Sequence, residues 1–112
     1  MPVTAAATTG FLHMVYFYPG ENAGPGEAAR LIAGCHKYLT AIPGVLRLEV
    51  GIPAGTPRAV VDNTYAVALQ VEFADSAAHD LYQDHSLHHQ FIAECSPAWS
   101  RVQIFDTLIE RP

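Results

Sequence analysis

The stretch "FLHMVYFY", residues 11–18, carries apolar side chains at both parities. Read with the two-residue period of a strand, Leu12, Met14, Tyr16 and Tyr18 fall on one side, and Phe11, Val15 and Phe17 on the other. His13 shares the second side. Aromatic and β-branched residues favour a pleated surface, and Pro19-Gly20 stops the run. A strand that is apolar on both sides needs both faces of its sheet covered, so the fold turns on what covers each face.

One cover follows directly. In "ENAGPGEAARLIAGCHKYLTAIPG", residues 21–44, Ala28, Leu31, Ile32, Cys35, Tyr38, Leu39 and Ile42 recur every three or four positions, which predicts a helix with one apolar face, ended by Pro43-Gly44. "VLRLEVG", residues 45–51, then alternates Leu46, Leu48 and Val50 with Arg47 and Glu49 and reads as a second strand. Residues 51–64 hold two prolines and two glycines without periodicity and read as a long loop whose charges, Arg58 and Asp62, are expected to be solvated, the alternative being that they gate a cavity. A third strand is predicted over 65–73, with Tyr65, Val67, Leu69, Val71 and Phe73 on one face.

Asp75 or Ser76 offers the cap of the next helix, in which Ala78, Leu81, Tyr82, His85, His88 or His89, and Ile92 keep helical spacing. Ser86 is placed to break that helix and cap a second, shorter one. Pro97 ends it, and "RVQIFDTLI", residues 101–109, supplies a last strand. The order strand, helix, strand, strand, helix, strand is that of an α+β, ferredoxin-like fold: a four-stranded antiparallel sheet with both helices on one face. The other face of the first strand is left apolar and bare. A homodimer packing through that uncovered sheet face, a dimeric α/β barrel, is the expected solution.

Bulk properties narrow the function. The 112 residues are half apolar, enough for one domain and its core. Six Lys and Arg against eleven Asp and Glu give a net charge of −5, with no basic run, so nucleic acid is not an expected partner. Spanning a membrane takes about twenty consecutive apolar residues, and every apolar stretch here is cut short of that, so no membrane is expected either. "MPVTAAATTG" lacks the charged and apolar regions of a secretory signal, so residues 1–10 read as a flexible leader, 11–109 as the domain and 110–112 as a tail, in a cytoplasmic protein. Cys35 and Cys95 sit in helical patterns, not in metal-type spacing, and read as reduced packed thiols; a single disulfide is the alternative.

Taken in order, "LHMVYFY", "IPGV", "VALQVEF", "YQDHSLHHQF" and "IFDT" resemble the stress-responsive A/B barrel (Dabb) family over about residues 11–109. The resemblance implies a dimeric α/β barrel. Through members that are polyketide cyclases of the olivetolic acid type, it also implies aldol-type ring closure without metal or organic cofactor. By the same resemblance Tyr82 and His88 match the catalytic pair of those cyclases, and His13 a strand histidine lining the same cavity. His85, Cys35, Val67, Leu31 and Trp99 are the expected ligand contacts. Val67 stands where the cyclases carry a second pocket histidine and Cys35 where they carry a tyrosine, so the pocket is expected to be less polar and differently shaped. Ser86 replaces the family's proline at the helix break.

The chemistry of "YQDHSLHH", residues 82–89, admits three readings. An imidazole titrating near neutrality can take and return a proton, and a tyrosine hydroxyl beside it can hold a developing enolate. In a continuous helix, Tyr82 and His88 would lie about 9 Å apart along the axis, a distance that a break at Ser86 changes. The second reading is structural, with Tyr82, His85 and His88 merely closing a helix break. The third is a metal held by His85 with His88 or His89, at i, i+3 or i, i+4 spacing; no further ligand completes it beyond Asp84 and His13, and no cofactor is expected. His36 and His79 fall on or near polar helix sides and receive no role. The function expected is binding of a small, largely apolar molecule in a cavity between sheet and helices, with cofactor-free acid–base chemistry on a carbonyl. The alternatives are a non-catalytic stress-response binding protein and a cofactor-independent monooxygenase of the same barrel fold.

Overall fold

The structure is a computed structural model that describes residues 8–21 and 23–112. Its elements run β1 (Thr8–Pro19), α1 (Glu27–Gly34) continued by a wider π turn (Cys35–Leu39), β2 (Arg47–Gly51), β3 (Val67–Phe73), α2 (Ser76–Asp84), α3 (Ser86–Cys95), a 3-10 turn (Ser96–Ala98) and β4 (Trp99–Glu110). The sheet is antiparallel in the order β2-β3-β1-β4. This is the expected ferredoxin-like arrangement.

Two ends differ from the sequence reading. Of the leader expected over 1–10, residues 1–7 lie outside the described residues, and from Thr8 the chain is already strand, its backbone paired with Glu110 of β4. The last strand starts at Trp99 and ends at Glu110, so the tail is shorter than expected. Both extensions have one cause: β1 and β4 pair from Thr8 with Glu110 to Pro19 with Trp99, interrupted only by register shifts at Thr9 and at Ser100.

The two sides of β1 divide as the period-two pattern requires. Phe11, His13, Val15 and Phe17 are buried beneath the helices, where they join Val67, Leu69, Val71 and Phe73 of β3 and Leu31, Cys35, Tyr38 and Leu39 of the first helical segment. The opposite side carries Leu12, Met14, Tyr16 and Tyr18, which are half-buried, and beside them Phe105, which is 53 % exposed. Tyr16 meets Tyr65 and Phe105 edge to face at 5.1 and 6.1 Å, and the Arg101 guanidinium lies 3.7 Å from the centre of the Tyr18 ring. No described helix lies on this face.

Several local expectations shift by a residue or a face. Asp75 caps α2, its carboxylate accepting from the Ala78 amide at 2.9 Å. The break falls at His85, not Ser86: His85 is extended at φ −70° and ψ 144°, and its Nδ1 accepts the Leu87 amide at 3.0 Å. An imidazole nitrogen thus does the work predicted for the serine hydroxyl. With the helix phase set from Asp75, Ala78, His79 and Tyr82 turn inward, and Leu81, expected in the core, is 71 % exposed. Leu46 likewise precedes β2 and is 63 % exposed. In the long loop, Asp62 accepts from the amide and hydroxyl of Thr64, and both Arg58 and Asp62 face solvent.

Candidate functional site

Three elements converge on one end of the helix-covered sheet face. β1 contributes His13, α2 contributes His79 and Tyr82, and α3 contributes His88. Tyr82 is 1 % exposed and stands at the middle: its ring centroid lies 5.0 Å from His88, 5.9 Å from His13, 6.4 Å from His79 and 4.9 Å from Phe73. The helix break brings Tyr82 and His88 together. A straight helix would set them about two turns apart, whereas the extended residue at 85 folds the start of α3 back so that the two rings meet edge to face.

Beside this pair is a cavity of about 160 Å³ between the sheet and the helices. His13, Tyr82, Gln83 and His88 bring polar atoms to its wall, and Phe17, Phe91, Trp99 and the β4 residues Val102 and Ile104 make much of the rest. Among the described residues, neither the Tyr82 hydroxyl nor the His88 ring hydrogen-bonds a protein group, and no buried side-chain nitrogen or oxygen lacks a partner. The polar atoms of Tyr82 and His88 therefore reach the open space of the cavity and are not sealed in the core.

His13 is fixed differently. It stands directly opposite Asp106 in the β1–β4 register, and its Nδ1 lies 2.6 Å from Asp106 Oδ1. A carboxylate can only accept, so Nδ1 carries the proton and Nε2 the lone pair. Burial pulls the His13 pKa below its ordinary value even though the Asp106 carboxylate pushes it up. His88 is held lower still, at about 4, first by burial and then by the neighbouring His13, His89 and His79. The Tyr82 hydroxyl is pushed up, chiefly by burial. At neutral pH the cavity wall is therefore uncharged at Tyr82, His13 and His88: one hydroxyl donor and imidazole lone pairs, in an apolar chamber.

The expected ligand contacts separate into groups. Trp99 lines the cavity, stacked on Phe91 at 5.9 Å and tilted against Phe17 at 4.7 Å. Cys35 and Val67 are fully buried in the core and are not among the residues lining it, and burial raises the Cys35 thiol to about 12. Leu31 is buried at a separate cleft with Glu27, Arg30 and Cys95. His85 is spent on its cap, and its Nδ1 is taken by Leu87. For the reading of a metal held by His85 with His88 or His89, the His85 Nδ1 is already occupied by the Leu87 amide and His89 is exposed to solvent. His79, given no role from sequence, is the residue that was missed: its side chain is 13 % exposed, stacks on Phe11 at 4.5 Å and lies tilted against His13 at 4.8 Å. The signal for it was the Asp75 cap, which puts positions four and seven residues later on one inward face. Asp106 was missed for want of the strand register.

A four-stranded antiparallel sheet in the order β2-β3-β1-β4 with its helices on one face defines a ferredoxin-like domain. The particular family is established by residues 11–109, which match the model of the stress responsive A/B barrel domain; the chain belongs to the Dabb family. No curated protein matches the sequence. Among solved structures, a Dabb family protein with a ferredoxin-like fold from Mesorhizobium loti is 28% identical, with a TM-score of 0.71 over 89% of this chain and 97% of that one. A dimeric ferredoxin-like protein of unknown function from Thermobifida fusca is 20% identical, with a TM-score of 0.76 over 91% and 92%. A hydroxynitrile lyase from Passiflora edulis is 14% identical, with a TM-score of 0.78 over 94% and 97%.

Proposed function

We propose that this chain binds a small, largely apolar molecule in the chamber between its sheet and α2 and α3, and works as a homodimer joined through the open sheet face. The observation that carries the reading is the chamber itself: a largely apolar wall to which Tyr82 and His88 contribute, neither polar side chain bonded to a protein group among the described residues. A cavity of about 150 Å³ lined by apolar side chains holds benzene, so a volume of about 160 Å³ suits a single ring or an equivalent branched chain. A carbonyl or hydroxyl on that molecule would meet Tyr82 as donor and His88 as acceptor.

The chemistry such an arrangement supports is proton transfer without a cofactor. His88 takes a proton from a carbon or hydroxyl of the ligand, Tyr82 donates to the oxygen on which charge develops, and His13, oriented by Asp106, bounds the pocket behind Tyr82. An imidazole held at about 4 is a weak base in the empty chamber. A negative charge developing on the ligand beside it raises that affinity, which couples proton uptake to the presence of substrate. Both aldol-type ring closure and the cyanohydrin chemistry named for the Passiflora protein begin with such a transfer.

The low proton affinity of His88 also favours a second reading, in which the chamber binds its ligand and releases it unchanged. Both cysteines are free and buried, the state that a reducing cytoplasm preserves, and we place the protein there. A screen of single-ring carbonyl compounds by calorimetry, followed by mass spectrometry of each bound compound, tests both readings. Binding with conversion that Tyr82→Phe and His88→Gln abolish supports catalysis, and binding without conversion supports the second reading. No binding by any compound that fits the volume overturns both.

A further inference from the structure

We propose that His13, His79 and Asp106 form a binding site for one divalent first-row transition ion, zinc being the best match, at the wall of the chamber beside Tyr82. Among the described residues these three each offer a ligand atom, and the three atoms lie within 4.8 Å of one another. Two imidazoles and one carboxylate are a borderline donor set, suited to zinc, cobalt or ferrous iron rather than to calcium or magnesium. The ligands come from β1, α2 and β4, so the sheet and the capped helix fix their backbones before any ion arrives.

Small movements complete the geometry. Metal–ligand bonds of about 2.0–2.1 Å at tetrahedral angles set neighbouring donor atoms about 3.3 Å apart. His13 Nδ1 and Asp106 Oδ1 stand at 2.6 Å and must separate slightly, with the imidazole proton passing to Nε2. Asp106 can give: its side chain is 39 % exposed, whereas that of His13 is 4 % exposed and held in place. On the α2 side, His79 is stacked on Phe11 and its Nε2 lies 3.3 Å from the Gln83 amide nitrogen, a contact that orients the ring. Three protein ligands leave a fourth position for water or for an oxygen of a bound molecule. The site does not depend on turnover at Tyr82 and His88, and it stands whichever reading of the chamber holds.

Protein freed of any histidine tag and treated with chelator is titrated with Zn²⁺ alone by calorimetry, and with Co²⁺ alone by visible absorption. One ion per chain is expected. Weakening by about tenfold or more is expected in His79→Gln and in Asp106→Asn, with no change in His89→Gln. Imidazole nitrogen NMR of the unsubstituted protein gives a second readout that needs no variant: Zn²⁺ should shift the His13 and His79 resonances and leave those of His85 and His89 in place. Absence of saturable binding, binding that survives both substitutions in folded protein, or shifts confined to His85, His88 and His89 would overturn the site.

Discussion

Asp106 and His13 face each other across the β1–β4 pair, and the carboxylate oxygen sits 2.6 Å from the imidazole Nδ1. Burial lowers the proton affinity of His13 and the carboxylate raises it, with burial the larger effect. Removing the charge alone therefore has a defined sign. In Asp106→Asn the amide oxygen still accepts from Nδ1, but the favourable charge is gone, and the His13 titration followed by NMR should move further down. An unchanged or raised value would mean that Asp106 does not act on His13 as the geometry requires.

Acid should loosen the fold through His88. In the unfolded chain a histidine takes its proton near 6.5, whereas in the folded chain His88 does so at about 4. Between those values the unfolded state binds more protons, so stability is full above the upper value and falls as pH drops toward the lower one. The slope is at most about 1.4 kcal/mol per pH unit for one such group, and the solvent that reaches the partly buried ring reduces it. Urea unfolding across this window should show the decline, and His88→Gln should flatten it. Equal slopes in the two proteins would mean that His88 is not protonated on unfolding.

Tyr82→Phe keeps the ring that packs on Phe73 and His88 and deletes only the hydroxyl. Stability should change little, because that hydroxyl bonds no protein group among the described residues. Affinity for a single-ring carbonyl compound should fall by roughly 1 kcal/mol, about fivefold, while affinity for the parent hydrocarbon stays constant. A loss of the same size for both compounds would place the hydroxyl outside the ligand's reach.

The open face of the sheet should hold the dimer. Light scattering should give twice the 12.1 kDa mass of the chain. Phe105→Glu places a charge among Tyr16, Met14 and their twofold copies and should yield monomer with an unchanged far-ultraviolet spectrum. A wild-type monomer at working concentration, or a dimer indifferent to the charge, would mean that another surface joins the subunits.

Gly34 faces Cys95 where α1 crosses α3, and a methyl group there would overlap the sulfur. Replacing a helical glycine with alanine ordinarily stabilises by about 0.5–1 kcal/mol, whereas forcing an extra carbon into a filled core costs about 1–3 kcal/mol. Overlap should win, and Gly34→Ala should lower stability. In a Cys95→Ala background the sulfur is absent, and the same change should become neutral or stabilising. Additive effects in the two backgrounds would show that the contact is not limiting.

Much of the fold was legible because it rests on periodicity. The two parities of residues 11–18 identified both the face that the helices cover and the face they leave open, and the alternation at Val67 through Phe73 fixed the neighbouring strand. Phase was harder. Leu81 looked like core on spacing, yet the Asp75 cap rotates α2 so that His79 turns inward in its place. Contacts between distant residues were not legible at all: the pairing of His13 with Asp106 depends on strand register, which one sequence does not state. Tyr82, His88 and Trp99 were singled out by family likeness, and the structure places all three on the chamber wall. Cys35, Val67 and Leu31 were expected there too, but helix and strand parity cannot tell a lining residue from one a layer deeper.

The single extended residue at position 85 works as an elbow between two rigid rods. Tyr82 rides on one rod and His88 on the other, so two backbone torsions govern the gap between them. Substitutions confined to that joint could widen or narrow the chamber from one homologue to the next and refit it to a different guest, while the sheet beneath stays the same.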